Sequence, residues 1–139
     1  MVAALAVAGI AAGSSWAGGG WVTAASLPVP RSEVASAVLD GRIVILGGFL
    51  ADGRSSPRVD RYEPATGRWT RLRDLPLGVN HPMAASDGKR IYLVGGYAGG
   101  APVRGAYVLD RSGVWRSLPR LPEARAAGGA AVVGGRLYV

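Results

Sequence analysis

The 139-residue chain has no cysteine, one lysine (Lys89), one histidine (His81) and one phenylalanine (Phe49). Without cysteine, neither a disulfide framework nor a thiolate site can be built. That leaves the compartment open, because disulfides are permitted rather than required outside the cytosol. A single histidine with no carboxylate cluster beside it supplies no local ligand set for copper or zinc. There is no Gly-x-Ser-x-Gly elbow and no glycine-rich loop followed by lysine, so the nucleophile and phosphate-cradle motifs are lacking. Acidic residues are few, nine against sixteen basic ones, for a net charge of +7. The arginines are spread along the whole chain rather than gathered in a stripe, which speaks against a nucleic-acid face. Sustained helical periodicity is lacking too. The longest apolar run, from Val2 to Ala12, falls short of the roughly 20 residues that span a bilayer.

What the chain does have is a repeat. Gly47-Gly48 recurs 48 residues later as Gly95-Gly96, Trp21, Trp69 and Trp115 stand 48 and 46 residues apart, and each tryptophan is followed at the same distance by Leu27-Pro28, Leu75-Pro76 or Leu121-Pro122. Arg42 to Gly48 aligns with Arg90 to Gly96, and Arg136 to Val139 begins the same segment again. Other glycine pairs, such as Gly99-Gly100 and Gly128-Gly129, fall off this period, but the joint spacing of Gly, Trp and Leu-Pro does not arise from glycine abundance alone. A period near 48 that combines these marks points to a propeller or solenoid, in which each unit buries its apolar faces against its neighbours.

Each unit reads as four short strands. Val34 to Leu39, Met83 to Ser86 and Ala126 to Val133 are rich in small residues, suiting an innermost strand near an axis. Ile43 to Leu46 and Ile91 to Val94 are continuous and branched, as expected where both faces are covered. Asp40-Gly41 and Asp87-Gly88 mark hairpin turns between them. Third strands are expected around Val59 to Tyr62 and Gly105 to Leu109, and fourth strands at Trp69 and Trp115. The fold class is therefore all-β.

An apolar strand closed by Gly-Gly, then a Tyr, then a Trp seven residues later (Gly47-Gly48, Tyr62, Trp69) resembles the kelch repeat; the second copy keeps Gly95-Gly96 and Trp115 but has Val108 in the tyrosine slot. The rival WD40 period lacks its Gly-His and Trp-Asp pairs here. The resemblance implies four-stranded antiparallel kelch-type β-propeller blades of the galactose-oxidase central-domain type, and an incomplete fragment of a ring of about 6–7 blades. It divides residues 18–139 into an outer strand without its blade (18–30), repeat 1 (31–76), repeat 2 (77–122) and the start of repeat 3 (123–139). It also implies that glycines, Tyr and Trp are packing residues, and that ligands meet the loops leading into the first strand and out of the second. Carried over by position, these are Arg31, Asn80, His81 and Arg125, with Phe49, Asp52, Arg54 and Tyr97.

The implied function is a non-catalytic scaffold presenting that loop face to a protein or carbohydrate (glycan) ligand, with no cofactor, no metal site, no nucleic acid and no membrane span, and a monomer for the whole protein. The alternative from a different class is an enzyme on the same scaffold, a galactose-oxidase-like copper oxidase or a sialic-acid-epimerase-like protein, its site completed by further blades. Residues 1–17 match the apolar region of a secretory signal, with small residues at Ser15 and Ala17 for cleavage after Ala17, although no basic residue precedes the run. A secreted or periplasmic protein of bacterial type is the corresponding expectation.

Overall fold

A computed structural model describes residues 23–139; the expected signal at 1–17, Trp21 and the first part of the expected outer strand lie outside them. All regular structure is β. The first unit comprises β1 (Ala35–Leu39), β2 (Arg42–Leu46), β3 (Val59–Glu63) and β4 (Arg68–Arg71); the second comprises β5 (Met83–Ser86), β6 (Ile91–Val94), β9 (Ala106–Leu109) and β10 (Trp115–Ser117). Each is a four-stranded antiparallel sheet in which every strand pairs with the next of its unit. Between β6 and β9 a small hairpin, β7 (Tyr97–Ala98) with β8 (Ala101–Pro102), rises from the loop. A third unit begins with β11 (Ala131–Val133) and β12 (Arg136–Tyr138). Among the described residues no helix is long and apolar enough to cross a membrane.

Local chemistry explains the turns. Asp40 and Gly41, at φ 50° and 75°, join Leu39 to Arg42 in a two-residue turn with both centres left-handed, the geometry that suits the twist of a hairpin. Gly99-Gly100, which fall off the sequence period, make the corresponding turn of the β7–β8 hairpin. The turn expected at Asp87-Gly88 is longer: Ser86 pairs with Ile91, and the Asp87 carboxylate accepts from the amides of Lys89 and Arg90.

Alternation along the strands decides what is buried. Val44, Leu46 and Val59 of the first unit pack with Ile91, Leu93, Leu109 and Trp115 of the second in one cluster. Complete burial of each aliphatic side chain contributes about 1.5–3 kcal/mol. The expectation that Ile43 to Leu46 and Ile91 to Val94 are buried throughout fails for Ile43, which is 39 % exposed, and for Ile45 and Tyr92, which are half-buried. Ile43, Ile45 and Val38 share the opposite face of the sheet with Asp60, Tyr62 and Trp69, where Arg31 is buried against Asp60 and Ala25 meets the Trp69 indole. The third inner strand is also shorter than expected, starting at Ala131 rather than Ala126, and residues 23–30 form no strand.

The tyrosine slot is resolved by register. Tyr62 pairs with both Ile43 and Trp69, whereas its counterpart beside Ile91 and Trp115 is Leu109, six residues before the tryptophan, not Val108 or Tyr107. The tilted Tyr62–Trp69 pair, with ring centroids 4.9 Å apart, gives way to a buried leucine beneath Trp115. Both tryptophans sit at junctions: Trp69 Nε1 donates to the Ala25 carbonyl at 3.0 Å and Trp115 Nε1 to that of Arg73 at 3.2 Å.

The glycine pairs allow neighbouring units to touch through backbone. Gly48 N donates to the Val79 carbonyl and Gly96 N to that of Arg125, at 2.8 and 2.9 Å. A Cβ on Gly95 would lie 2.2 Å from the Arg125 oxygen, and one on Gly47 2.5 Å from that of Val79; no side chain fits there.

Candidate functional site

The loop between β2 and β3 and the β7–β8 hairpin form the two walls of an open groove of about 810 Å³ between the first and second units. Phe49, Arg54, Ser55 and Pro57 line one side, Tyr97 to Gly100 the other, and Leu77, Gly78, Asn80 and His81 the floor. Five of the residues expected at a ligand face are thus brought together: Phe49, Arg54, Asn80, His81 and Tyr97. Asp52 stands at the rim, where its carboxylate accepts from both the amide of Arg54, at 3.0 Å, and its guanidinium, at 2.7 Å. Those bonds hold the Asp52 carboxyl below the usual carboxylate range.

The floor is an internally bonded polar network between aromatic edges. Asn80 is 2 % exposed and donates through Nδ2 to Ser55 Oγ at 2.8 Å. Its Oδ1 lies 2.7 Å from His81 Nδ1, and His81 Nε2 lies 3.1 Å from Glu33 Oε2. The imidazole meets Phe49 and Tyr97 at near-perpendicular angles, with centroids 6.1 and 5.7 Å away. Backbone bridges fix this arrangement: Asn80 with Tyr97, and Phe49 with both Ser32 and Ser55. Glu33 and Ser55 carried no sequence signal, since neither stands at a conspicuous repeat position; only the approach of the two units brings them to the histidine.

Arg31 and Arg125 are not in this groove. The Arg31 side chain is fully buried, donating to the Arg58 carbonyl and to Asp60 Oδ2, each at 2.6 Å. Arg58 binds the same carboxylate through two nitrogens, both at 2.8 Å. Burial draws the Arg31 guanidinium below its usual range, with Asp60 opposing; the hydrogen bond to Asp60 raises that of Arg58. Two guanidiniums around one buried carboxylate make a packing device. At the equivalent place in the second unit stands Val79, 2 % exposed. Arg125 is exposed, 3.3 Å from Glu123, and borders a smaller depression of about 310 Å³ toward the third unit.

Among known proteins, this chain is similar to a Kelch-like protein, terF, of Aspergillus terreus, 34% identical over 123 residues that cover 81% of this chain and 27% of that protein. Human Kelch domain-containing protein 9 is 34% identical over 120 residues, covering 82% of this chain and 34% of its own. The zebrafish (Danio rerio) Kelch repeat and BTB domain-containing protein 12 is 31% identical over 144 residues, 88% of this chain and 23% of that protein. The chain thus spans about a third or less of the length of these relatives. The sequence profile of the kelch motif matches residues 30–76 and 81–122, the two units whose sheets, glycine pairs and tryptophans repeat one another in space, and the chain belongs to the kelch-repeat family.

Proposed function

We propose that the chain is a binding scaffold whose groove between the first two units receives a segment of a protein partner. The observation that carries this reading is the state of the floor. Ser55 and Asn80 spend their hydrogen-bonding groups on one another, on His81 Nδ1 and on Tyr97 O, His81 Nε2 faces the Glu33 carboxylate, and Phe49, Pro57, Leu77 and Ala98 offer apolar surface around them. A hydroxyl-rich glycan needs free donors and acceptors at its floor; an apolar side chain flanked by backbone needs a dry, shaped pocket with few of them. Phe49, His81 and Tyr97 would form the anchor pocket, Arg54 would act as a rim contact oriented by Asp52, and Asn80 would position His81. Arg125 belongs to the neighbouring depression and Arg31 supports the scaffold. No observation among the described residues favours the enzyme reading, and they contain no group of three or more His, Asp or Glu that could hold a metal.

Display of random peptides, with a glycan array in parallel, tests the reading. Peptides should be enriched on the wild-type chain, lost on Tyr97→Ala and kept on Arg136→Ala, which lies outside the groove. Glycan capture sensitive to Tyr97 would shift the ligand class, and enrichment indifferent to Tyr97 would place binding elsewhere. We further propose that residues 1–17 direct export of the bacterial secreted type, supported by the apolar run and by the small residues Ser15 and Ala17. N-terminal sequencing of material expressed in a bacterium should then start at Gly18; a retained Met1 on cytosolic product overturns it.

A further inference from the structure

Glu33, His81 and Ala127 occupy the same place in successive units, just before the inner strands, and all three are left-handed, at φ 52°, 49° and 56°. Left-handed backbone is costly for residues with a Cβ, so its recurrence at non-glycine positions reflects what the junction demands. The demand is visible in the backbone: His81 N donates to the Glu33 carbonyl at 2.9 Å, and Ala127 N to that of His81 at 3.0 Å. These bonds step from unit to unit and set the side chains of adjacent units next to one another.

At the first junction those side chains are an imidazole and a carboxylate. Asn80 Nδ2 is committed to Ser55 Oγ, which leaves Asn80 Oδ1 to accept from His81 Nδ1. Nδ1 therefore carries the proton of the neutral ring, and Nε2 presents a lone pair to Glu33 Oε2. A carboxylate oxygen can only accept, so this contact becomes a hydrogen bond when the ring takes up its second proton. The other groups against the ring do not compete. Phe49 and Ala127 are uncharged, Tyr97 meets it through its aromatic ring, and Arg54, on the facing loop, is held by Asp52.

We propose that Glu33 and His81 form a proton-operated latch between the first two units, closed when the ring carries two protons and open when it carries one. Ala127 leaves the second junction without such a pair, so the latch is confined to the floor of the groove. Because His81 touches both Phe49 and Tyr97, closing the latch pins the aromatic pocket. That consequence rests on the groove being the binding face, whereas the test below uses the unliganded chain and so stands apart from the peptide experiment.

His81 is the only histidine in the chain, so its ring nitrogens give unambiguous signals in a long-range ¹H–¹⁵N spectrum. When the ring carries one proton, the Nδ1–H tautomer is expected. An Nε2–H tautomer overturns the latch, since Nε2 would then already donate to Glu33. Glu33→Gln, His81→Gln and the double variant supply a second reading by chemical denaturation. Where that spectrum shows two protons on the ring, the pair should have a coupling of about two- to fivefold in the unfolding constant, and none where it shows one. Equal coupling in both protonation states, or none in either, overturns the proposal.

Discussion

The indole of Trp115 reaches back across the junction between units to donate to the backbone carbonyl of Arg73 at 3.2 Å. Trp69 does the same to Ala25 at 3.0 Å, and Ala25 and Arg73 each stand two residues before a Leu-Pro pair. Each tryptophan therefore contacts the segment just before the Leu-Pro pair of the preceding unit, which is why both marks recur at one period. Trp115→Ala should cost about 3–5 kcal/mol. Trp115→Phe, which keeps an aromatic ring and leaves the Arg73 carbonyl without its partner, should cost about 1–2 kcal/mol. Urea denaturation of both variants checks the order.

Glycine at 95 is required on two counts, a φ of 62° and a backbone oxygen 2.2 Å from where a Cβ would stand. Gly99 has a similar φ, 57°, but open space around it. Gly95→Ala should therefore lose about 2–4 kcal/mol and Gly99→Ala about 1 kcal/mol. Equal losses in denaturant titrations would mean that the approach of the Arg125 backbone is not what selects glycine.

Removal of Asp60 leaves two guanidiniums facing each other in a buried site, whereas removal of Arg31 leaves Asp60 still paired with Arg58. Asp60→Ala should destabilise by about 3–5 kcal/mol, and Arg31→Met by clearly less. Thermal melts of the two variants separate these outcomes. A variant at Arg31 that folds normally yet loses peptide capture would return this residue to the ligand face.

Acid should weaken the β5–β6 hairpin. Burial alone would raise the Asp87 carboxyl, but the Lys89 and Arg90 amides and the Arg90 guanidinium outweigh it and hold it below the usual range. A carboxyl depressed on folding contributes stability that is fully present above the ordinary value near 3.9 and is lost as pH falls through its lower, folded value. The melting temperature of the wild type should drop in that window more steeply than that of Asp87→Asn; parallel curves would remove Asp87 from the account.

Val38 and Ile43 are 49 % and 39 % exposed on the β1–β2 half of one face of the first sheet, and Val133 and Tyr138 are 62 % and 53 % exposed on the third unit. Apolar sheet faces of this kind drive association. The 139-residue chain should sediment as more than a monomer at micromolar concentration, and Ile43→Lys should shift it toward monomer. A monomer that Ile43→Lys leaves unchanged would show the face to be inert.

Much of this was legible in the residues themselves. Strand positions, the Asp40-Gly41 turn and the junction role of Gly47, Gly95, Trp69 and Trp115 follow from local rules: alternation, positive φ, and repetition at a period that only neighbouring copies can satisfy. Loop position was enough to gather Phe49, Arg54, Asn80, His81 and Tyr97. It did not gather Arg125, which borders the next depression, or Arg31, because a sequence shows that an arginine is present but not which carboxylate lies within 3 Å of it. The same reason hid Glu33 and Ser55.

The sequence by itself determined the kind of unit, its period and the Asp40-Gly41 turn, since those depend on interactions within a few residues or on a periodic pattern. Only the tertiary structure decided which face of β2 is covered, that Leu109 rather than an aromatic lies under Trp115, and that His81 stands between Asn80 and Glu33. Those outcomes depend on strand register and on how the units meet, which are set when strands pair, one sheet packs on the next and backbone carbonyls come to rest against glycine.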